Sequence, residues 1–221
     1  EASSAGCIRM HNADVEELLR DRLTGLLPAG RLAEETGQSQ ARSGLVWVVD
    51  PQDGTPAFLK GMRGSSVSVA LLRDGVPVLG IVHAPTAPDD DGDLFAWAEG
   101  AALTRNGAPV APEPDGPGLE RGTVIALNEN AHDHPRANAA ALAPARFLAV
   151  PSIAYRLALA AAGDVDAAVA FQDHAPGDVA GGHALLLGAG RQLADLAGRA
   201  VTAGDGPSIA GCVGGGRRTI A

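Results

Sequence analysis

The hydrophobic positions of this chain change period along its length, and each change marks an element. Val15, Leu18, Leu19, Leu23 and Leu26 recur at helical spacing, with Glu16, Glu17, Arg20 and Asp21 on the other face. That pattern predicts a helix from Asp14, ended by Pro28 and Gly30 and capped by Asn12 or Asp14. A polar segment containing Glu34 and Glu35 then runs to Gly44 and reads as a loop. Leu45 to Val49 is apolar without interruption, with β-branched Val at 46, 48 and 49, and predicts a strand buried on both faces. Pro51 cannot continue a central strand, so a turn is expected there. Ser66 to Leu72 alternates, Asp74-Gly75 turns the chain and Val76 to His83 returns it, which is a β-hairpin. Asp93 to Glu99 and Ala102 to Val110 supply two more strands, the second broken at Asn106-Gly107.

Residues 111 to 122 are rich in Pro, Gly and Glu and read as a linker. They place a boundary between an N-terminal part, 1–115, and a C-terminal part, 116–221. Beyond it, Thr123 to Leu127, Phe147 to Val150, Asp164 to Phe171 and Arg191 to Asp195 read as strands. Ser152 can cap a helix from Ile153 to Ala162, whose Leu157, Leu159 and alanines pack closely, and Asp178 opens another helix to about Gly188. Three tempting motifs are set aside. Ala87 to Asp93 lacks the ligand spacing of an EF-hand loop and reads as a solvated hairpin tip. His132-Asp133-His134 has no Cys or further His nearby and reads as surface loop, not a zinc site. Gly214-Gly215-Gly216-Arg217-Arg218 lacks the Gly-Lys-Ser/Thr ending of a Walker loop and reads as a flexible turn.

Composition narrows the picture. Of 221 residues, 46% are hydrophobic and 19% charged, which describes a folded globular chain. Aromatics are only 3%, so the core must be built from Ala, Val and Leu. A net charge of −9 argues against nucleic acid or an anionic membrane surface as partner. Cys7 and Cys212 make no disulfide framework, which favours a reduced, cytoplasmic setting. No apolar run reaches the length of a membrane span. The chain begins at Glu1, not Met, so its natural start is left open.

Candidate chemistry sits at the end of the apolar run. Asp50 and Asp53 flank Pro51-Gln52 and are followed by Gly54-Thr55. Two carboxylates this close repel each other unless a cation lies between them or one stays protonated. Hard oxygen ligands on a tight turn suit Mg²⁺, and Gly54-Thr55 can open a helix whose free N–H groups face an anion.

The run Asp50-Pro51-Gln52-Asp53-Gly54-Thr55 resembles the D-P-x-D-G-T signature of the inositol monophosphatase superfamily of Mg²⁺-dependent, often lithium-sensitive phosphatases. Ala33-Glu34-Glu35-Thr36-Gly37 is similar to its upstream G-E-E-S element, and Gly177-Asp178-Val179-Ala180-Gly181-Gly182-His183-Ala184 to its downstream W-D-x-A-A-G-H-A element. The resemblance runs from about Asn12 to about Gly198. It implies the family's α/β fold, an αβαβα layered sandwich with a large antiparallel sheet in the N-terminal part. It implies two or three Mg²⁺ ions, held by Glu34, Asp50, the carbonyl of Gln52, Asp53 and Asp178. Glu34, Asp50 and Thr55 take the catalytic roles, with Glu34 and Thr55 orienting and deprotonating the attacking water. Gly54 and Thr55 grip the phosphate, and Ser152 loosely matches a G-S or G-T that binds the substrate's organic part. Asn12 or Asp14 could correspond to an Asp that helps bind a weaker ion, although capping is the simpler reading. The family often forms dimers, so a homodimer is implied.

The implied activity is hydrolysis of a small phosphorylated metabolite such as an inositol monophosphate. Val76 to Pro85 is similar to the adenosine 3′,5′-bisphosphate nucleotidase branch, which supplies an alternative. A second alternative is a catalytically degenerate module that binds a phosphorylated ligand or a partner, because the chain also resembles phosphatase-like modules joined to ADP-ribosylglycohydrolases. Three departures bear on these readings. Gly177 replaces the family's Trp, which is expected to loosen the packing of Asp178. Arg191 replaces the second Gly of a Gly-Gly pair. Ala170 falls near the substrate-binding acidic residue of the inositol phosphatases, with Gln172 and Asp173 as poor substitutes.

Overall fold

A computed structural model describes residue 19 and residues 21–23, 25–27, 30–33, 37–39, 44–201 and 208–221. The predicted first helix is helical at each described position from 19 to 26. The cap candidates Asn12 and Asp14, and the pair Glu34 and Glu35, lie outside the described residues.

The first sheet contains β1 (Gly30–Ala33), β2 (Gly37–Ser39), β3 (Leu45–Asp53), β4 (Ser66–Arg73), β5 (Val76–Ala84), β6 (Asp93–Ala98), β7 (Thr104–Arg105) and β8 (Ala108–Pro109). Its order is β2-β1-β3-β4-β5-β6-β7-β8, antiparallel throughout except for the parallel pair β1–β3. A five-residue helix, α1 (Thr55–Leu59), leaves the end of β3. The second sheet contains β9 (Val124–Leu127), β10 (Arg146–Ala149), β11 (Ala167–His174), β12 (Gln192–Ala194) and β13 (Ile209–Gly215), in the order β10-β9-β11-β13-β12. Helices α2 (Pro135–Leu142), α3 (Ile153–Ala162), α4 (Pro176–Gly188) and α5 (Arg217–Ile220) complete the described elements, with a 3₁₀ turn at Glu129–Asp133.

Both faces of the first sheet are covered, as the uninterrupted apolar run of β3 requires. Trp47, Val49, Val69 and Leu71 pack against Leu19, Leu23 and Leu27, and the Trp47 indole N–H donates to the Leu27 carbonyl at 3.2 Å. On the other face Val48, Ala70, Val82 and Phe95 share a core with Leu157, Leu185, Leu193 and Cys212. Helices α3 and α4 lie side by side in that core, between the two sheets. The far face of the second sheet buries Ile125, Leu127 and Ala167 against Leu142 and Ile220. The layers are therefore helix, sheet, helix pair, sheet, helix, as expected.

Small residues make this spacing possible. A Cβ on Gly80 would stand 2.6 Å from the carbonyl oxygen of Gly181, and one on Gly182 would stand 2.5 Å from the Leu157 Cβ. The Gly-Gly of α4 therefore lets one helix touch the first sheet on one side and α3 on the other.

Several expectations change. Pro51 does not end the strand: β3 runs on to Asp53 and carries a register shift between Asp50 and Asp53 in its pairing with β4. A bulge tolerates proline's missing N–H, and the extra residue alters which face later side chains take. The polar stretch before Leu45 contains β2, so it is not one loop. Asp93 does not belong to a solvated tip; it is 1% exposed. Its carboxylate takes two bonds of 2.7 Å from Arg105 and one of 3.0 Å from the Tyr155 hydroxyl. The glycine-rich tail is no loose turn. Gly214 and Gly215 end strand β13, between β11 and β12, where Leu157 and Leu186 side chains fill the space a Cβ would take at Gly214. No described helix is long and apolar enough to cross a membrane.

Candidate active site

The site forms where β3 ends against the corner between β10 and α3. The Asp50 carboxylate turns back on its own chain and accepts from the Gln52 N–H at 2.8 Å. The Thr55 hydroxyl donates to the Gln52 carbonyl at 2.6 Å, closing the same turn from the other side. Gly54 between them has φ +88°, and a Cβ there would meet Pro151 and the Ser152 backbone at 3.3 Å. Only glycine satisfies both the left-handed backbone and the close approach.

Asp53 is held from behind. Its Oδ2 accepts from the Ser152 hydroxyl at 2.6 Å and from the Ala154 N–H, at the start of α3, at 2.8 Å. Ser152 also accepts from the Tyr155 N–H, and its hydroxyl lies 2.8 Å from that of Ser66. Since Ser152 spends its one proton on Asp53, Ser66 is the donor in that pair. Burial pushes the Asp53 carboxyl up to about 6; the Ser152 bond opposes the rise and the charge of Asp178 adds to it.

Asp178 stands in the first turn of α4. Its Oδ2 lies 3.1 Å from Nδ1 of His174, the last residue of β11, while its Oδ1 is buried without a hydrogen-bond partner among the described residues. Gly177 does not loosen this turn. Its carbonyl accepts from the buried Ser68 hydroxyl at 2.9 Å, and a Cβ on it would meet the Val49 carbonyl at 3.2 Å.

These groups open on one cavity of about 540 Å³. Asp50, Gln52, Asp53, Gly54, Thr55 and Asp178 line it, so two stretches far apart in sequence share one site. Glu34 lies outside the described residues. Ser152 does not line the cavity: it is fully buried, with its hydroxyl committed to Asp53, Tyr155 and Ser66. The expectation that it touches the substrate's organic part gives way to a place behind Asp53. Near the place of the acidic specificity residue, Ala170 and the substitute Gln172 line the cavity, and Phe171 between them stands 72% exposed.

The remaining walls escaped the sequence reading. Asn128, Glu129 and Asn130 follow β9, Lys60 follows α1, and Arg156 and His174 come from α3 and β11. A signal existed for Arg156, a lone charge in an otherwise apolar helix, and for His174, four residues before Asp178.

Asp50, Asp53, Asp178 and the Gln52 carbonyl bring hard-oxygen donors to one cavity, and two observations bear on a divalent cation there. One buried carboxylate oxygen of Asp178 has no partner among the described residues, and Asp178 hinders the ionisation of Asp53. Among the described residues, no three His, Cys, Asp or Glu side chains stand as a ready metal cluster.

Comparison with known proteins gives one consistent result. The model of the inositol monophosphatase family matches residues 7–217. The chain is 30% identical over 190 residues to the probable inositol 1-monophosphatase ImpA of Mycobacterium tuberculosis, covering 80% of this chain and 67% of that one. It is 32% identical over 98 residues to a histidinol-phosphatase of Chlorobaculum parvum, covering 44% of this chain and only 36% of that one. The crystal structure of inositol monophosphatase-II from Staphylococcus aureus superposes with a TM-score of 0.77 at 24% identity, over 95% of this chain and 80% of that one. This last likeness concerns the fold.

Proposed function

The chain belongs to the inositol monophosphatase family, and from that premise we propose that it is a Mg²⁺-dependent phosphomonoesterase hydrolysing a small phosphorylated metabolite with an activated water. One observation carries the reading. Asp50, Asp53 and Asp178 line a single cavity, and a buried oxygen of Asp178 has no hydrogen-bond partner among the described residues.

Asp50, Asp53, Asp178 and the Gln52 carbonyl would hold the metal, joined by Glu34. Bound Mg²⁺ lowers the pKa of a water and offsets charge on the phosphoryl oxygens. The chain's own groups do the positioning. Ser152 and the Ala154 N–H fix one Asp53 oxygen, which leaves the other for the site. The Thr55 hydroxyl donates its hydrogen bond to the Gln52 carbonyl, so its oxygen can accept from a water. Glu34 is the base that the family resemblance assigns. The N–H groups of Gly54 and Thr55 would take the phosphate oxygens. Asn128, Asn130 and Gln172 offer neutral donors and acceptors to the organic part. A reduced, cytoplasmic setting, supported by the free buried thiol of Cys212, belongs to the same proposal, as does a homodimer on the family's habit.

Phosphate release from inositol 1-phosphate, adenosine 3′,5′-bisphosphate and a sugar phosphate tests the reading, with Mg²⁺ or EDTA and beside Asp178→Asn. Turnover that needs Mg²⁺ and falls at least about a hundredfold in the variant is expected, since even the neighbours that orient metal ligands are worth 10–100-fold. Binding without turnover on every substrate would favour the degenerate module.

A further inference from the structure

Among the cavity-lining side chains, the charge of Arg156 is the one left unexplained. It stands early in α3, among apolar neighbours, and is 1% exposed. Its Nη1 donates to the Val150 carbonyl at 3.0 Å, and its buried Nε has no acceptor among the described residues. Among the described residues, no carboxylate lies within ion-pair distance of it. Burial disfavours its charge, while Asp53 and Glu129 act on it only through the field between them. A guanidinium carries five donors and remains charged in proteins, so burying one against a single carbonyl is costly. An arriving anion would repay that cost with charge-assisted bonds.

The other donors of the cavity say which anion. The phosphate to be cleaved belongs at the β3 end of the cavity, beside Asp50, Asp53, Gly54, Thr55 and Asp178. Arg156 reaches the same cavity from α3, near enough to Asp53 for their charges to interact; since the N–H groups of Gly54 and Thr55 serve the phosphate to be cleaved, the guanidinium is left for a different anion. Lys60 adds a second cation to the cavity. Glu129 shares the cavity but is only partly buried, so water screens its carboxylate more than it screens the guanidinium.

We propose that Arg156 receives a second anionic group on the organic part of the substrate. The site then prefers phosphomonoesters that also carry a carboxylate or another phosphate over those with a neutral or cationic leaving group. This inference rests on the phosphatase reading of the same cavity.

Matched substrates test it. 2-Phosphoglycerate differs from glycerol 2-phosphate by a carboxylate in place of a hydroxymethyl group, and ribose 1,5-bisphosphate differs from ribose 5-phosphate by a second phosphate; the two pairs separate the two sources of negative charge. With saturating Mg²⁺, wild-type kcat/KM is expected to favour the more anionic member of at least one pair by tenfold or more, chiefly through KM. Arg156→Gln should bring that ratio close to one, and Arg156→Lys should keep part of it. No preference in the wild type overturns the proposal, and so does a preference that persists in Arg156→Gln. If that variant does not fold, the wild-type ratio and Arg156→Lys decide. If no substrate is turned over, the phosphatase reading fails, and calorimetric binding of the same two pairs decides. Tenfold tighter binding of the more anionic member, lost in Arg156→Gln, supports the anion site, and equal binding overturns it.

Discussion

At the scale of single residues, the site depends on side chains that never touch the cavity. Ser152 is the clearest. It orients Asp53 and at the same time caps α3, so one hydroxyl ties a carboxylate at the end of the first sheet to the helix between the sheets. Ser152→Ala should weaken Mg²⁺ activation by roughly tenfold, with kcat recovered at saturating metal. A Mg²⁺ titration of turnover reads that split, and a loss that excess metal does not restore would speak against the positioning role. Cys212 makes a different point. Burial pushes its thiol up to about 11, so at pH 8 it stays protonated and out of reach. The native protein should leave Cys212 unlabelled by a thiol reagent that modifies it once urea has unfolded the chain; rapid native labelling at Cys212, read by peptide mapping, contradicts the burial. Asp50, Asp53 and Asp178 were legible because each stands in a short motif. Ser152 was legible as a cap but not as a partner of Asp53, since 99 positions separate the two and only the closed fold joins them.

At the scale of elements, local chemistry was readable wherever it was self-contained. The β4–β5 hairpin is an example, because Asp74 and Gly75 both take the positive φ that such a turn demands. What escaped is set by neighbours. Pro51 predicts a turn when read alone; in the sheet it is absorbed by a bulge that brings Asp50 and Asp53 to one cavity. The glycines of β13 show no alternation, because their small volume serves neighbours and not the strand's own period: Gly214 admits leucines of α3 and α4, and Gly215 the backbone at Asp166 and Ala167. The same logic governs α4. Gly182→Ala would gain up to about 1 kcal/mol in helix propensity but force a methyl against Leu157. Overpacking of this kind costs about 1–3 kcal/mol, so a net loss of stability is expected in urea unfolding. An unchanged midpoint would show that α3 and α4 are less tightly seated than their contact distances imply.

For the whole molecule, the proposed division into 1–115 and 116–221 follows the two sheets but not the core. Val48 and Phe95 from the first sheet share a cluster with Leu157, Ile209 and Cys212 from beyond the linker. Arg105 strengthens the join, pairing with Asp93 in its own sheet and with Asp164 after α3. Arg191, where a glycine was expected, donates to the carbonyls of Ala160 and Glu113 and so fastens the linker to the end of α3. The chain should therefore unfold in one calorimetric transition. Asp93→Asn should lower its stability by about 2 kcal/mol, because the half-buried Arg105 and the Tyr155 hydroxyl lose their charged acceptor. Two separate transitions would mean that the halves are independent domains.

The central claim is that carboxylates from both halves act through bound Mg²⁺, and a single titration addresses it. Phosphate release is followed against Mg²⁺ concentration for the wild type and Asp178→Asn, on whichever substrate the wild type hydrolyses. The account predicts saturable activation in the wild type, and in the variant a half-saturating concentration at least about tenfold higher or no activation at all. Superimposable Mg²⁺ curves for the two proteins would contradict it.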